Sequence, residues 1–203
     1  MLFSVACERN KQPILSVLET WLPAEAAVLE IGSGSGQHAA FFCQQIQGLH
    51  WQPSEQAGAY NELAAQLAAM DRGSLAQGSE LAAPLALDVS QPLQWPSPRF
   101  DAVFTANTCH IMAAAALPHL LAGSHRVLKP GGLLLIYGPF HDGGVHTAAS
   151  NAAFDAQLRS RDASMGLRDA LLLNEQAAGL GLAHLADLAM PANNRLLIFR
   201  RDA

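Results

Sequence analysis

The feature that most constrains the fold is a short apolar stretch that runs into a cluster of glycines. Val28-Leu29-Glu30-Ile31 is typical of a β-strand, and Gly32, Gly34 and Gly36 follow it at alternate positions. Glycine tolerates positive φ and lets a ligand approach the backbone closely. A helix that begins directly after such a turn offers free N–H groups to an anion. This segment therefore predicts a strand–loop–helix unit that binds a nucleotide-like cofactor.

The spacing of these glycines separates three kinds of cofactor loop. A dinucleotide-binding loop, G-x-G-x-x-G, requires its third glycine at position 37, where this chain has Gln37. A P-loop requires a Gly-Lys pair followed by Ser or Thr, and the segment has none. Instead, Glu30 stands two residues before the first glycine of a G-x-G-x-G run. The spacing therefore argues against a nicotinamide-dependent oxidoreductase.

Apolar stretches and amphipathic segments alternate along the rest of the chain. Further strands are predicted at residues 49–53, 85–87, 102–105, 133–137, 182–189 and 195–200. Helices are predicted at 10–22, 38–46, 57–70, 113–127, 151–161 and 169–178, with Asn10 as the cap of the first and Pro13 in its first turn. Segments 71–83 and 139–149 are predicted as loops. The alternation predicts an α/β fold with a doubly wound, mostly parallel sheet, and 203 residues suit one domain over 1–203.

Composition excludes several classes of function. Charged residues make up 14% of the chain and hydrophobic ones 50%, with a net charge of −5, unlike a disordered chain or a basic nucleic-acid binder. Cys7, Cys43 and Cys109 form no metal-binding spacing and fit a reducing compartment. The N-terminus lacks the basic region of a signal peptide, and no stretch approaches the roughly 18 apolar residues of a membrane span. We therefore expect a cytoplasmic protein that binds neither nucleic acid nor membrane.

The order of further motifs resembles that of class I S-adenosylmethionine (SAM) methyltransferases. Glu55 follows the second predicted strand, 23 residues after Gly32, and Asp88 follows the third. Residues 100–104 and 127–132 match the family around its fourth strand and before its fifth. The resemblance runs from residue 28 to the last residue. It implies a seven-stranded Rossmann-like sheet with one antiparallel strand at the C-terminal end, SAM as cofactor and S-adenosylhomocysteine (SAH) as product.

Other motifs are similar to one branch of these enzymes. The branch comprises a bacterial domain family of unassigned substrate and its animal relative, methyltransferase-like protein 26. The shared motifs lie at residues 8–14, 36–38, 51–54, 137–140, 146–147, 150–155, 161–162 and 190–194. This closer resemblance implies a fold and a cofactor but no substrate.

The resemblance also implies which residues form the cofactor site. Glu55 is expected to take both ribose hydroxyls, and Asp88 is expected to accept a hydrogen bond from the adenine amino group. The full predicted set is Asn10, Glu30, Gly32, Ser33, Gly34, Gly36, His38, Glu55, Asp88, Val89 and Asn107. No metal site is expected, because the His and acidic residues match no ligand spacing.

The acceptor pocket is expected to use residues after the fourth and fifth strands, because ligands bind at the carboxyl ends of parallel strands. His110 is the first candidate for a base or an acceptor contact, with a structural role as the alternative. Tyr137 and His146 are further catalytic candidates. The N-terminal helix, residues 1–23, is predicted to act as a lid, and the 139–169 insertion is predicted to cover the acceptor pocket.

These features predict in-line methyl transfer to a small-molecule acceptor by a monomer or homodimer. Two alternatives stay open, a nonenzymatic SAM-binding or scaffold protein and a methyltransferase that acts on a protein. Arg161 and Arg168 either brace the insertion or bind a carboxylate or phosphate of the acceptor. Cys109 is expected to be a buried small hydrophobe rather than a reactive thiol.

Overall fold

A computed structural model describes residues 3–97 and 100–202 of the chain. The helices are α1 Val5–Trp21, α2 Gln37–Gln45, α3 Ala57–Ala68, α4 Leu117–Val127, α5 Ala149–Arg161 and α6 Ala170–Ala178. The strands are β1 Ala27–Ile31, β2 His50–Glu55, β3 Glu80–Leu81, β4 Leu85–Ala86, β5 Phe100–Ala106, β6 Leu128–Gly138, β7 Phe140–Asp142, β8 Val145–His146, β9 Arg168–Asp169, β10 Leu182–Met190 and β11 Asn194–Arg201. None of the helices in this described part is long and apolar enough to cross a membrane.

The chain divides into two compact units, Met1–Phe104 and Thr105–Ala203, and the division falls within β5. In the first unit, β2 pairs in parallel with β1, and β3 and β4 both pair in parallel with β2. In the second unit, β11 is antiparallel to both β6 and β10. The hydrogen-bonded order is β10-β11-β6-β5-β1-β2-β3, with β4 also beside β2.

This strand order confirms the predicted fold class. Because β3 and β4 pair with successive parts of β2, they together occupy one position, and the main sheet has seven positions. The sheet is mostly parallel, and β11 is the antiparallel strand near the C-terminal end. The prediction of one domain over 1–203 stays a prediction.

The first helix begins earlier than the sequence predicted. Ser4, not Asn10, is its cap, because the Ser4 hydroxyl accepts a hydrogen bond from the Cys7 N–H at 3.3 Å. Asn10 therefore lies inside α1, where it is buried, and Pro13 lies in the helix interior rather than in the first turn. The predicted cap was wrong by more than one helical turn.

The predicted loops contain short strands. Segment 71–83 includes β3, and segment 139–149 includes β7 and β8, which form a second sheet with β9 in the order β8-β7-β9. These strands have two or three residues, too few for alternation of apolar and polar positions to reveal them. At β6 the structure extends the predicted strand backward to Leu128, and α4 starts at Leu117 with Pro118 in its first turn.

An aromatic cluster forms the centre of the core in the first unit. The ring centroids of Phe42 on α2 and Trp51 on β2 are 5.4 Å apart, and Phe104 on β5 lies 5.9 Å from Phe42 and 5.7 Å from Trp51. All three side chains are fully buried. Edge-to-face and tilted contacts of this kind add to the free energy gained by burial. The cluster fixes α2 on the sheet, and with it the loop that leads into α2.

Candidate cofactor and acceptor sites

The glycine loop between β1 and α2 adopts a backbone that favours glycine. Gly32, Gly34 and Gly36 have φ of +70°, +53° and +70°. An ideal Cβ on Gly36 would lie 2.7 Å from Cδ2 of Leu67, so a side chain there would force Leu67 on α3 to shift. An ideal Cβ on Gly34 would meet no heavy atom within 4 Å. Gly34 therefore borders open space, whereas Gly36 is packed.

Hydrogen bonds attach the loop to the carboxyl end of β2. The Ser33 N–H donates to the Ser54 carbonyl at 2.9 Å, and the Ser54 N–H donates to the Ser33 hydroxyl oxygen at 3.1 Å. The Ser54 hydroxyl donates to the Glu30 carbonyl at 2.6 Å. Ser33, Ser54 and Glu30 are all buried, so these bonds are shielded from water. They hold the loop in place before any ligand binds.

Glu55, the last residue of β2, places its carboxylate on the loop. Its Oε2 accepts a hydrogen bond from the Gly34 N–H at 2.8 Å, and its Oε1 accepts one from the Gln56 N–H at 2.9 Å. A carboxylate has about four lone-pair sites, so each oxygen retains acceptor capacity. The Glu55 carboxylate can therefore accept hydrogen bonds from a ligand beside the open space at Gly34.

Glu30 lies in the core rather than at the surface of the loop. The residue is 1% exposed, and its Oε2 accepts a hydrogen bond from Nε1 of Trp51 at 3.0 Å. Burial raises the pKa of Glu30 to about 7, although hydrogen bonds from Trp51 and Ser33 oppose the rise. Glu30 supports the loop from below through its side chain and its carbonyl.

Two other predicted cofactor residues, Asn10 and His38, bind each other. Nε2 of His38 lies 2.7 Å from Oδ1 of Asn10, and both side chains are buried. The His38 ring stacks on Phe42 with centroids 5.4 Å apart. Burial, followed by the charge of Lys11, lowers the pKa of His38 to about 4, so the ring is neutral at physiological pH. The pair joins α1 to α2.

Asp88 and Val89 lie in an ordered turn after β4. Oδ1 of Asp88 accepts a hydrogen bond from the Ser90 N–H at 2.9 Å, and the Asp88 N–H donates to Oε1 of Gln94 at 2.7 Å. The Val89 carbonyl accepts a hydrogen bond from Nε1 of Trp95 at 3.1 Å. Since β4 pairs with the end of β2, the turn begins at the same edge of the sheet as Glu55.

Asn107 marks the end of β5 in the second unit. It has φ of +57°, which is uncommon for a residue other than glycine, and its N–H donates to the Tyr137 carbonyl at 2.9 Å. Backbone strain of this kind clusters at functional sites. Tyr137 itself is buried on β6.

His110 follows β5 and is almost enclosed. Its ring packs edge-on against Phe154 at 5.3 Å, and an ideal Cβ on Gly138 would lie 3.6 Å from its Nδ1. Burial, followed by the charge of Arg168, lowers the pKa of His110 to about 4. The ring is therefore a neutral imidazole with acceptor capacity at the end of β6.

His146 is paired with a carboxylate that the sequence did not single out for this role. Its Nε2 lies 3.1 Å from Oδ2 of Asp155, whose Oδ1 accepts a hydrogen bond from the Leu167 N–H at 2.7 Å. Nε of Arg159 also donates to this carboxylate at 3.1 Å. Burial raises the pKa of Asp155, but the bonds from Leu167, Arg159 and His146 outweigh it and keep the pKa low. By itself, the i, i+4 spacing of Asp155 and Arg159 indicates only a surface ion pair.

Gly166 makes room for this carboxylate. Its φ is +135°, and an ideal Cβ there would lie 2.6 Å from Oδ1 of Asp155. The Gly166 N–H donates to the His110 carbonyl at 3.0 Å. One turn of chain thus contacts the backbone of His110 and the partner of His146.

Arg168 braces the second unit rather than facing solvent. Its Nε donates to the Cys109 carbonyl at 2.8 Å, and its Nη2 donates to the carbonyls of Met112 and Ser164 at 2.5 and 3.2 Å. Of the two predicted roles, these bonds support bracing by Arg168, and anion binding by Arg161 or Arg168 stays a prediction. Cys109 is buried, and burial raises its pKa to about 12, so its thiol stays protonated. Among the described residues, no group of His, Cys, Asp or Glu side chains is arranged to hold a metal ion.

The fold is shared with solved methyltransferases. An O-methyltransferase family protein from Burkholderia thailandensis matches 98% of this chain and 58% of its own, with 19% identity and a TM-score of 0.78. Human N-acetylserotonin methyltransferase in complex with SAM matches 98% and 53%, with 16% identity and a TM-score of 0.75. CalO1, a methyltransferase in calicheamicin biosynthesis in its SAH-bound form, matches 96% and 54%, with 16% identity and a TM-score of 0.73. The chain thus spans little more than half the length of these proteins.

The chain belongs to the family described as "Protein of unknown function (DUF938)", whose model matches residues 1–201. The match covers every helix and strand that the structure describes, and it ends two residues before the end of the second unit.

Proposed function

We propose that this chain binds SAM at the glycine loop and transfers its methyl group to a small-molecule acceptor. The observation that carries the proposal is the open space at Gly34 beside the Glu55 carboxylate. A Cβ at Gly34 would project into this cradle, whereas the neighbouring Gly36 is closed by packing. Two of the three methyltransferases compared above hold SAM or SAH, which supports this choice of cofactor.

The order of the strands supports one orientation for the cofactor. Asp88 follows β4, Glu55 ends β2 and the glycine loop follows β1, and these strands are neighbours running in parallel. Asp88 would accept a hydrogen bond from the adenine amino group, and Glu55 would accept bonds from the ribose hydroxyls. Gly32, Ser33 and Gly34 would supply backbone contacts, and the turn at Val89 would pack on the adenine. Asn107 stays a predicted cofactor residue.

The residues of the second unit would act on the acceptor. SAM supplies a methyl group on a good leaving group, so most of the catalytic work is positioning. A general base contributes about 10²–10⁴-fold, and only when the acceptor atom carries a proton. His110 would be this base, or a contact to the acceptor, because its neutral ring has acceptor capacity. His146 with Asp155, and Tyr137, are the further candidates.

We also propose that the chain belongs with the branch that includes methyltransferase-like protein 26. The motifs at 8–14 and 36–38 that it shares with the branch contact each other through Asn10 and His38, which supports a common structural role. A cytoplasmic location, the lid role of residues 1–23 and the monomer or homodimer state stay predictions. Residues 1 and 2 of this lid lie outside the described residues.

Thermal unfolding with SAM, SAH and NADH tests the proposal. A ligand at 100 times its Kd stabilises the folded state by about 2.7 kcal/mol, which corresponds to a rise of several degrees in Tm. We expect SAM and SAH to raise the Tm and NADH to leave it unchanged. Glu55→Gln should reduce the rise with SAH, because an amide is a weaker acceptor for the ribose hydroxyls. Glu62→Gln, at an exposed position on α3, is the matched control.

The outcomes of this experiment separate the candidate functions. An absence of any rise with SAM and SAH would contradict the proposal, and a rise with NADH alone would favour an oxidoreductase. Formation of SAH from SAM in the presence of pooled small metabolites would then distinguish an enzyme from a nonenzymatic SAM-binding protein. Activity that appears only with added protein would point to a protein acceptor.

A further inference from the structure

The motifs at residues 8–14 and 36–38, to which the orientation proposed for the cofactor assigns no contact, meet where α1 packs on α2. We call this region the junction of α1 and α2. The centre of this junction is Gln37, the first residue of α2. Its Oε1 accepts hydrogen bonds from the Ser4 N–H at 2.6 Å and from the Ser35 hydroxyl at 2.8 Å. Its Nε2 donates to Oε1 of Glu8 at 2.8 Å and to the Ser4 carbonyl at 3.4 Å. One side chain therefore connects the glycine loop, through Ser35, to the beginning of α1.

Glu8 extends the junction through a second partner. Its Oε2 accepts a hydrogen bond from Nζ of Lys11 at 2.6 Å, and Nζ lies 4.8 Å from the centre of the Phe41 ring on α2. The hydrogen bond from Lys11, followed by that from Gln37, lowers the pKa of Glu8, so it is ionised at neutral pH. Deeper in the interface, Asn10 and His38 bind each other. The two helices are thus held together from the loop to the core.

The junction would lie near the methionine end of the proposed cofactor, which Asp88 and Glu55 would not contact. These two acids would bind adenine and ribose beside β4 and β2. The remaining part of SAM, its methionine portion, would then extend toward the loop after β1 and the first residue of α2. Adenine and ribose are shared by many ligands, so discrimination must come from this third part of the site. Gln37 stands where a dinucleotide-binding loop requires glycine.

We propose that Gln37 is a positioning residue for the amino-acid end of the cofactor. By binding Ser4, Glu8 and Ser35 together, it holds the beginning of α1 against the glycine loop, so that residues 4–8 form the wall around this end. The inference rests on the proposed function, because it assumes that the ligand is SAM. It assigns a role to residues that the resemblance did not link to the cofactor.

Calorimetric titration with SAH and with adenosine tests the inference. Adenosine lacks the amino-acid end. Comparing the affinities for the two ligands therefore distinguishes loss of this wall from damage to the whole binding site. For Gln37→Ala and Glu8→Ala we expect SAH to bind roughly tenfold more weakly and adenosine to bind within about twofold of wild type, as for a lost hydrogen-bond contact. Glu8→Gln should restore the affinity for SAH, because the amide oxygen still accepts a hydrogen bond from Gln37.

Gln44→Ala is the matched control. Gln44 lies on the same helix, and its Nε2 donates to the Ser74 hydroxyl at 3.0 Å, away from α1. Its removal should change the affinity for neither ligand.

The outcomes distinguish this inference from the function on which it rests. If Gln37→Ala leaves the affinity for SAH unchanged, or lowers the affinities for SAH and adenosine equally, the inference is overturned. The proposal that the protein binds SAM is not affected by that result. If the wild-type protein binds no SAH, the proposed function fails and the inference fails with it. Binding of adenosine by each variant also reports that its site is folded.

Discussion

Burial strongly changes the acid–base chemistry of Glu30. It is enclosed beneath the glycine loop, where its carboxyl accepts hydrogen bonds from the neutral side chains of Trp51 and Ser33 and is paired with no cationic side chain of the described residues. Nδ1 of His38 lies 4.0 Å from Oε1 of Glu30, and the His38 ring is neutral. Burial therefore favours the protonated carboxyl and raises its pKa to about 7.

This environment predicts how the stability depends on pH. Between pH 4.5, the ordinary pKa, and about pH 7, the folded protein keeps a proton on Glu30 that the unfolded chain has released. Its free energy of unfolding should therefore fall as pH rises, by roughly 3 kcal/mol relative to Glu30→Gln, with no further relative change above pH 7. Glutamine preserves the acceptor for Trp51. Urea unfolding of both proteins at pH 5 and pH 8 measures the difference, and parallel profiles would contradict it.

Gly34 and Gly36 lie in the same loop, but their surroundings differ. Gly34 and Gly36 both have positive φ, which costs other residues roughly 1–2 kcal/mol. Only Gly36 also faces a neighbouring helix, since its Cβ would approach Leu67 and Leu63 on α3. Gly34 faces the space proposed for the cofactor.

Alanine at these two positions should therefore have opposite main effects. Gly36→Ala should lower the free energy of unfolding by about 1–3 kcal/mol more than Gly34→Ala, because it overpacks the contact with α3. Gly34→Ala should weaken SAH binding more than Gly36→Ala, because its methyl group enters the cradle. Urea unfolding and calorimetric titration with SAH measure the two effects. A Gly34→Ala protein that binds SAH like wild type would contradict the proposed place of the cofactor.

The elements also show what the sequence can and cannot predict. Apolar periodicity and glycine spacing predicted the main sheet, the loop and most helices, because long buried elements repeat their pattern. The cap at Ser4 was missed, although a serine directly before Val5, the first residue of the helix and an apolar one, is a signal that helix-start rules recognise. The buried state of Asp155 was not predictable from its spacing to Arg159, because its other partners, His146 and Leu167, are distant in sequence. The role of Gln37 likewise depends on a segment 33 residues away.

At the scale of the whole molecule, the candidate residues separate between the two units. The proposed cofactor residues other than Asn107 lie in Met1–Phe104, whereas His110, Tyr137 and His146 lie in Thr105–Ala203. Binding of the cofactor and binding of the acceptor should therefore slow amide hydrogen exchange in different segments of the chain.

Hydrogen exchange followed by mass spectrometry measures this separation. We expect SAH to slow amide exchange in segments 4–8, 32–37, 54–57 and 88–90, because the ligand and the junction stabilise these turns. Segments 139–147 and 162–168 should respond to an acceptor rather than to SAH. Protection of the 139–169 insertion by SAH alone, at the level seen in the glycine loop, would contradict this division.

The indole contacts described above should make intrinsic tryptophan fluorescence sensitive to ligand binding. Trp51 donates to the Glu30 carboxyl beneath the glycine loop, and Trp95 donates to the Val89 carbonyl in the turn after β4, so each fluorophore bonds to a residue in or beside a segment proposed to bind the cofactor. Trp21, at the end of α1, is the remaining indole of the chain, and Trp21→Phe would remove its emission. Intrinsic fluorescence of that variant would follow occupancy of the site in real time, without a label and before any acceptor is known.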